Sequence, residues 1–123
     1  DVTIAATGLT VQMALAAAEQ LAGEGISARV LDIHTIKPLD KALILKAAME
    51  TGCIVTSEEH NIYNGLGSAV ASYLSEVYPT PVVRHGVEDV FGRSGKAAAV
   101  LEAYGISPAG IIEKVKKALS LKK

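Results

Sequence analysis

Three short stretches of this sequence carry side chains able to do chemistry. The densest is Glu58-Glu59-His60, two carboxylates beside an imidazole. Such a group could supply a general acid and base, or metal ligands, if a crevice gathers it. In an extended segment neighbouring side chains point to opposite faces, so at most one of the glutamates joins His60. No other histidine or cysteine stands at a ligand spacing from it. A hydrogen-bonded histidine that orders a turn is therefore the favoured reading, and His34 and His85 are read in the same way.

The second stretch, Gly65-Leu66-Gly67-Ser68-Ala69-Val70, invites comparison with a dinucleotide-binding turn. That turn needs a small third residue for close helix–strand packing, and Val70 stands there instead. The alternative is that two glycines let a helix start close to a neighbouring backbone. The third stretch, Arg93-Ser94-Gly95-Lys96, looks like the end of a phosphate-binding loop. Val90 replaces the required first glycine and Ala97 the metal-binding hydroxyl, which excludes that loop. Arg93 and Lys96 could still hold an anion beside a helix N-terminus. A solvated loop that touches a partner is the preferred reading.

Alternating strands and helices must position these groups. Val2 to Thr7 is a β-branched run with alanines and reads as a strand, closed by Gly8. Thr10 opens a helix in which Val11, Leu15, Ala18 and Ala22 fall on one face, with Gly23 and Gly25 ending it. Ala28 to Ile33 is a second strand. Asp40 is an N-cap for a helix through Met49, with Leu39, Leu43, Ile44, Ala47 and Ala48 on its buried side. Thr51-Gly52 stops that helix, and Cys53 to Ser57 is a third strand.

A polar turn, residues 58–64, then leads to a helix from about Gly65, on which Val70, Leu74 and Val77 have apolar spacing. Pro79 and Pro81 end it, and a fourth strand runs from Val82 to about Val87. Residues 88–96 read as a loop and Ala97 to Ala103 as a short helix. Ser107-Pro108 is an N-cap and first-turn pair for a last helix, with Ile111, Ile112, Val115 and Leu119 along one side.

This order predicts an α/β fold: three layers, α/β/α, around a doubly wound and mostly parallel sheet of strand order 2-1-3-4. Ligand crevices in such sheets lie where the order reverses, here between the ends of strands one and three. Thr7-Gly8-Leu9-Thr10 would line one wall of it and Glu58-Glu59-His60-Asn61 the other, with Thr7, Gly8, Glu59 and His60 as the candidate site residues.

The totals fit that picture. A chain of 123 residues, half of them apolar, suits one domain with a real core. With 12 basic and 13 acidic residues there is no basic stripe for nucleic acid. No run reaches the roughly 18 apolar residues of a membrane span. One cysteine, Cys53, allows no internal disulfide and is compatible with a cytoplasmic setting. The chain begins at Asp1 without Met, as a processed product or a piece of a longer protein would.

Beyond these elements, the stretch from Arg29 to Asp40, RVLDIHTIKPLD, resembles a segment of transketolase C-terminal domains. Glu58-Glu59-His60, Gly65-Leu66-Gly67, Arg93-Ser94-Gly95-Lys96 and the run from Leu101 to Ile106 follow in the same order as in that family. The resemblance implies a domain of a larger enzyme that transfers a two-carbon ketol unit between sugar phosphates. It also implies an antiparallel edge strand contributed from upstream, and a homodimer of the complete enzyme.

Thiamine diphosphate and magnesium would be held by other thiamine-binding domains or by a partner subunit. This sequence has no Gly-Asp-Gly motif, so the resemblance carries no catalytic, cofactor or metal residue onto it. Two alternatives stay open. One is the equivalent domain of a deoxyxylulose phosphate synthase or a 2-oxoacid dehydrogenase beta subunit. The other is a small-molecule-binding regulatory domain that uses the crevice at Thr7 and His60.

Overall fold

The computed structural model describes residues 1–8, 10–33, 39–61, 65–87 and 107–122, with side chains at all of these except 59–61 and 87. Four strands, β1 (Val2–Ala6), β2 (Ala28–Asp32), β3 (Ile54–Asn61) and β4 (Val82–Val87), make one sheet in the order β2-β1-β3-β4. All the pairings are parallel. The antiparallel edge strand implied by the resemblance is not among the described strands. The helices are α1 (Thr10–Gly23), α2 (Lys41–Thr51), α3 (Leu66–Val77) and α4 (Pro108–Leu121).

Alternation along the strands sorts two cores. Val2, Ile4 and Ala6 of β1 face one way and pack with Ala14, Ala17 and Leu21 of α1 and Ile111 and Val115 of α4. Ala5 faces the other way and joins Ile44 and Ala48 of α2 and Leu66, Val70 and Leu74 of α3. This is the period-two rule of a sheet covered on both faces, and β1 is accordingly buried along its whole length.

The helix ends follow local chemistry. Asp40 caps α2 by accepting from the Leu43 amide at 3.2 Å, and Gly52 closes it at φ 83°. Ser107 caps α4 by accepting from the Gly110 amide at 3.1 Å, with Pro108 in the first turn.

Three expectations need correction. The buried stripe of α1 is Thr10, Ala14, Ala17 and Leu21, not Val11, Leu15, Ala18 and Ala22, and Leu15 is 54% exposed. This helix is alanine-rich on every side, so spacing alone chooses no face, and the small side chains let the helix sit close to the sheet. Val77 is likewise exposed at the end of α3 rather than buried with Val70 and Leu74. The third strand does not stop at Ser57, since the predicted turn at 58–61 is strand as well. The reason is Glu58, whose carboxylate is buried and fully engaged, so a polar residue continues the strand instead of ending it. The predicted loop at 88–96 and helix at 97–103 lie outside the described residues.

Candidate functional site

The sheet order reverses between β1 and β3, and their carboxyl ends are tied together by short hydrogen bonds. The Thr7 amide donates to the Ser57 carbonyl at 3.0 Å. The Thr10 hydroxyl, in the first turn of α1, lies 2.6 Å from the Thr7 carbonyl oxygen and 2.8 Å from that of Ser57. Gly8 supplies the left-handed residue of this turn, at φ 53°. Thr7 and Gly8 thus follow the carboxyl end of β1, and Thr10 ties them to β3.

One residue further along, Ser57 and His85 pair β3 with β4, Oγ to Nδ1 at 2.9 Å, with both side chains buried. His85 thus has the structural role expected of it. Glu58 follows, 1% exposed, and its two oxygens accept from the Leu66 and Gly67 amides, each at 2.9 Å. Those amides belong to the first turn of α3, where the helix dipole favours an anion, so the carboxylate caps a helix eight residues downstream of itself.

Both glycines of the Gly65-Leu66-Gly67 run are explained by the same packing. A Cβ on Gly65 would overlap the Glu58 carboxylate. One on Gly67 would meet Arg84 Cγ at 2.6 Å and Thr56 Oγ1 at 2.7 Å. The close neighbours are side chains, where the sequence had pointed to a backbone. Beside them, the Thr56 hydroxyl is buried without a hydrogen-bond partner.

Of the other predicted site residues, Glu59 and His60 lie on the last turn-free stretch of β3, and their side chains are outside the described part. Arg93, Lys96 and His34 are outside it altogether. Sequence reasoning placed Thr10 in this wall but passed over Ser57, whose carbonyl and hydroxyl both take part in the bonding here. The signal available was a hydroxyl directly at the end of the apolar strand. Cys53 is buried, and burial pushes its thiol pKa up against the opposing charges of Lys122 and the N-terminus. The apolar run around it pointed to a buried thiol, and buried it is.

The opposite end of the sheet, where the strands begin, differs in character. A groove of about 540 Å³ opens there between Gly52, residues 78–81, Leu121 and Lys122. Tyr78 and Leu121 in its wall are exposed.

Comparison with known proteins decides the family. The profile described as "Transketolase, C-terminal domain" matches residues 1–111. The chain belongs to the transketolase C-terminal domain family. It is 48% identical over 112 residues to a 6-deoxy-6-sulfo-D-fructose transketolase subunit of Clostridium sp. (strain MSTE9), covering 91% of this chain and 35% of that protein. It is 44% identical over 113 residues to 1-deoxy-D-xylulose-5-phosphate synthase 1 of Geobacter sulfurreducens, covering 90% of this chain and 18% of that one. Among solved structures, a split gene transketolase described as an inactive beta4 tetramer superposes with a TM-score of 0.95 at 51% identity. It covers all of this chain and 40% of its own.

The chain thus spans about a third of the length of the transketolase subunit it resembles. The transketolase family works with thiamine diphosphate, and the donors among the described residues do not fit that group with its magnesium. There is no Gly-Asp-Gly in the sequence. The one buried carboxylate among the described residues, Glu58, is already taken by two amides. Among the described residues no three metal-ligating side chains converge, and no helix is long and apolar enough to cross a membrane.

Proposed function

We propose that this chain serves as one domain, the assembly domain of a transketolase-type enzyme that moves a two-carbon ketol unit between sugar phosphates. Thiamine diphosphate and magnesium are held by other domains or by a partner subunit, and the complete enzyme works in the cytoplasm as a dimer or higher oligomer. The observation that carries this reading is the match along nearly the whole chain to transketolase C-terminal domains, together with the subunit-type relatives. The rim at Thr7, Gly8, Glu59 and His60, with Arg93 and Lys96, is the part of the domain we assign to contact with the rest of the enzyme. The bonding of the described residues beside it speaks against catalysis there. Ser57 and His85 are buried against each other, and Glu58 is occupied by amides, so none of the three is free to take a proton from a substrate.

The test is ketol transfer in a mixture of this chain with its thiamine-binding counterpart, each alone as a control. Activity only in the mixture is the expected result. Activity equal to that of the counterpart alone would make the domain dispensable and sink the reading. A second reading is favoured by the 44% identity to the Geobacter protein. In that case the mixture makes deoxyxylulose phosphate and transfers no ketol unit between sugar phosphates.

A further inference from the structure

We propose that Glu58 is a positioning residue of this domain: its carboxylate fixes the end of β3 against the start of α3, and so sets where residues 59 and 60 meet the rest of the enzyme. This rests on the assignment of that rim to contact with the thiamine-binding counterpart, and adds the group that holds the rim in place. The need for such a group follows from where the sheet stops. β3 is paired with β1 from Ile54 to Ser57, and the Thr7 amide closes that side on the Ser57 carbonyl at 3.0 Å. On the other side the ladder to β4 is regular as far as Ser57 with His85, then shifts and resumes at Asn61 with Val87. Past Ser57 the register of the sheet no longer fixes the strand. Glu58 is the first residue beyond that point, and it is tied elsewhere. Its two oxygens accept from the Leu66 and Gly67 amides, each at 2.9 Å, and it is buried. Two charge-assisted bonds to amides eight and nine residues onward close the intervening chain at its base.

The stability of α3 by itself does not call for this arrangement. Helices are ordinarily capped by Ser, Thr, Asp or Asn at the residue just before the first turn. Asp40 and Ser107 cap α2 and α4 in that way. At the same position α3 has Gly65, which supplies no side-chain bond. This glycine does not serve a left-handed backbone, since its φ is −104°. It serves space, because a Cβ there would overlap the Glu58 carboxylate. α3 thus goes without a local cap and takes one from β3. What the distant cap adds is a fixed relation between the strand end and the helix.

Cap and tie can be separated by substitution. Glu58→Ala removes both. Glu58→Ala combined with Gly65→Asp gives α3 a local cap, whose Cβ takes the space the carboxylate leaves, and still lacks the tie. Each variant is titrated into the thiamine-binding counterpart, with binding followed by calorimetry and ketol transfer assayed on the same mixtures. The melting temperature of the free chain is measured alongside. The single variant should melt about 10 °C below the wild type. The double variant should regain most of that loss and still bind the counterpart about tenfold more weakly than the wild type. Affinity restored together with the melting temperature overturns the inference and leaves Glu58 a cap and nothing more. Should the double variant stay unstable, Glu58→Gln replaces it, since it keeps the side-chain length with one acceptor oxygen instead of two. At a temperature where circular dichroism shows it folded, it should also bind about tenfold more weakly, and wild-type affinity there overturns the inference. A wild-type chain that binds the counterpart without ketol transfer defeats the functional reading alone, and the affinities of the variants still judge Glu58. Transfer with equal affinity in every variant defeats the positioning role alone. A wild-type chain that neither binds nor supports transfer defeats both.

Discussion

The two ends of the sheet are opposites. At the end where β1 and β3 finish, hydroxyls, a histidine and a carboxylate are buried, and nearly all of them are satisfied by one another. At the end where the strands begin, apolar side chains stand in water around a groove. The described residues that look chemically active are thus closed in on themselves, and the described residues that look inert are the open ones. Reactive side-chain types locate a site only if their bonding capacity is left over, and among the described residues of the polar rim only the Thr56 hydroxyl is buried without a partner.

The contrast can be broken most severely at Glu58. Glu58→Ala leaves two buried amides without an acceptor and opens a cavity. Each hydrogen bond to a charged group is worth about 1.5–3 kcal/mol, so a loss of at least ~3 kcal/mol in urea unfolding is expected. A loss below ~1 kcal/mol would mean that water replaces the carboxylate and that the rim is open after all.

Gly67→Ala comes next, at about 1–3 kcal/mol, the usual cost of overpacking, because Arg84 and Thr56 must both give way. Calorimetry of the variant checks this, and an unchanged melting temperature would show that the two side chains move aside freely. Thr56→Val has the opposite sign. It removes a buried hydroxyl that has no partner, at similar volume, and should stabilise by ~1 kcal/mol. Destabilisation of that size would reveal a hydrogen bond the Thr56 hydroxyl makes in solution. The smallest effect belongs to the other end. Leu121→Ser and Val77→Ser, at half-exposed positions, should change the stability of this chain by less than ~0.5 kcal/mol. A larger loss would place these residues in the core and not on the surface.

Much of the architecture was legible in the sequence, and the reason is local. Asp40, Gly52, Ser107 and Pro108 act within one turn of where they stand, so their types announce the helix ends. The β-branched residues at 2–4 and 82–83 announce strands, and the alternation of strands with helices implies the order 2-1-3-4. What stayed hidden depends on partners far along the chain. The burial of Glu58 is decided by amides at 66 and 67, and without them Glu58-Glu59-His60 reads as a polar turn. The buried face of α1 is decided by contact with the sheet and α4, because alanines at 14, 16, 17, 18 and 22 spread its apolar surface beyond any one face. The groove is built from the ends of separate elements, at 52, 78–81 and 121–122, and no window of sequence contains it.

The register of β3 against β4 has a consequence of its own. Ser57 pairs with His85 and Asn61 with Val87, so four steps along β3 match only two along β4. The two surplus residues leave the ladder, so β3 bulges between these pairings and its backbone returns to β4 at Asn61. Removing residues 59 and 60 would let the ladder run one to one from Ser57 to Asn61, whereas a deletion that took Glu58 would also remove the acceptor of the α3 amides.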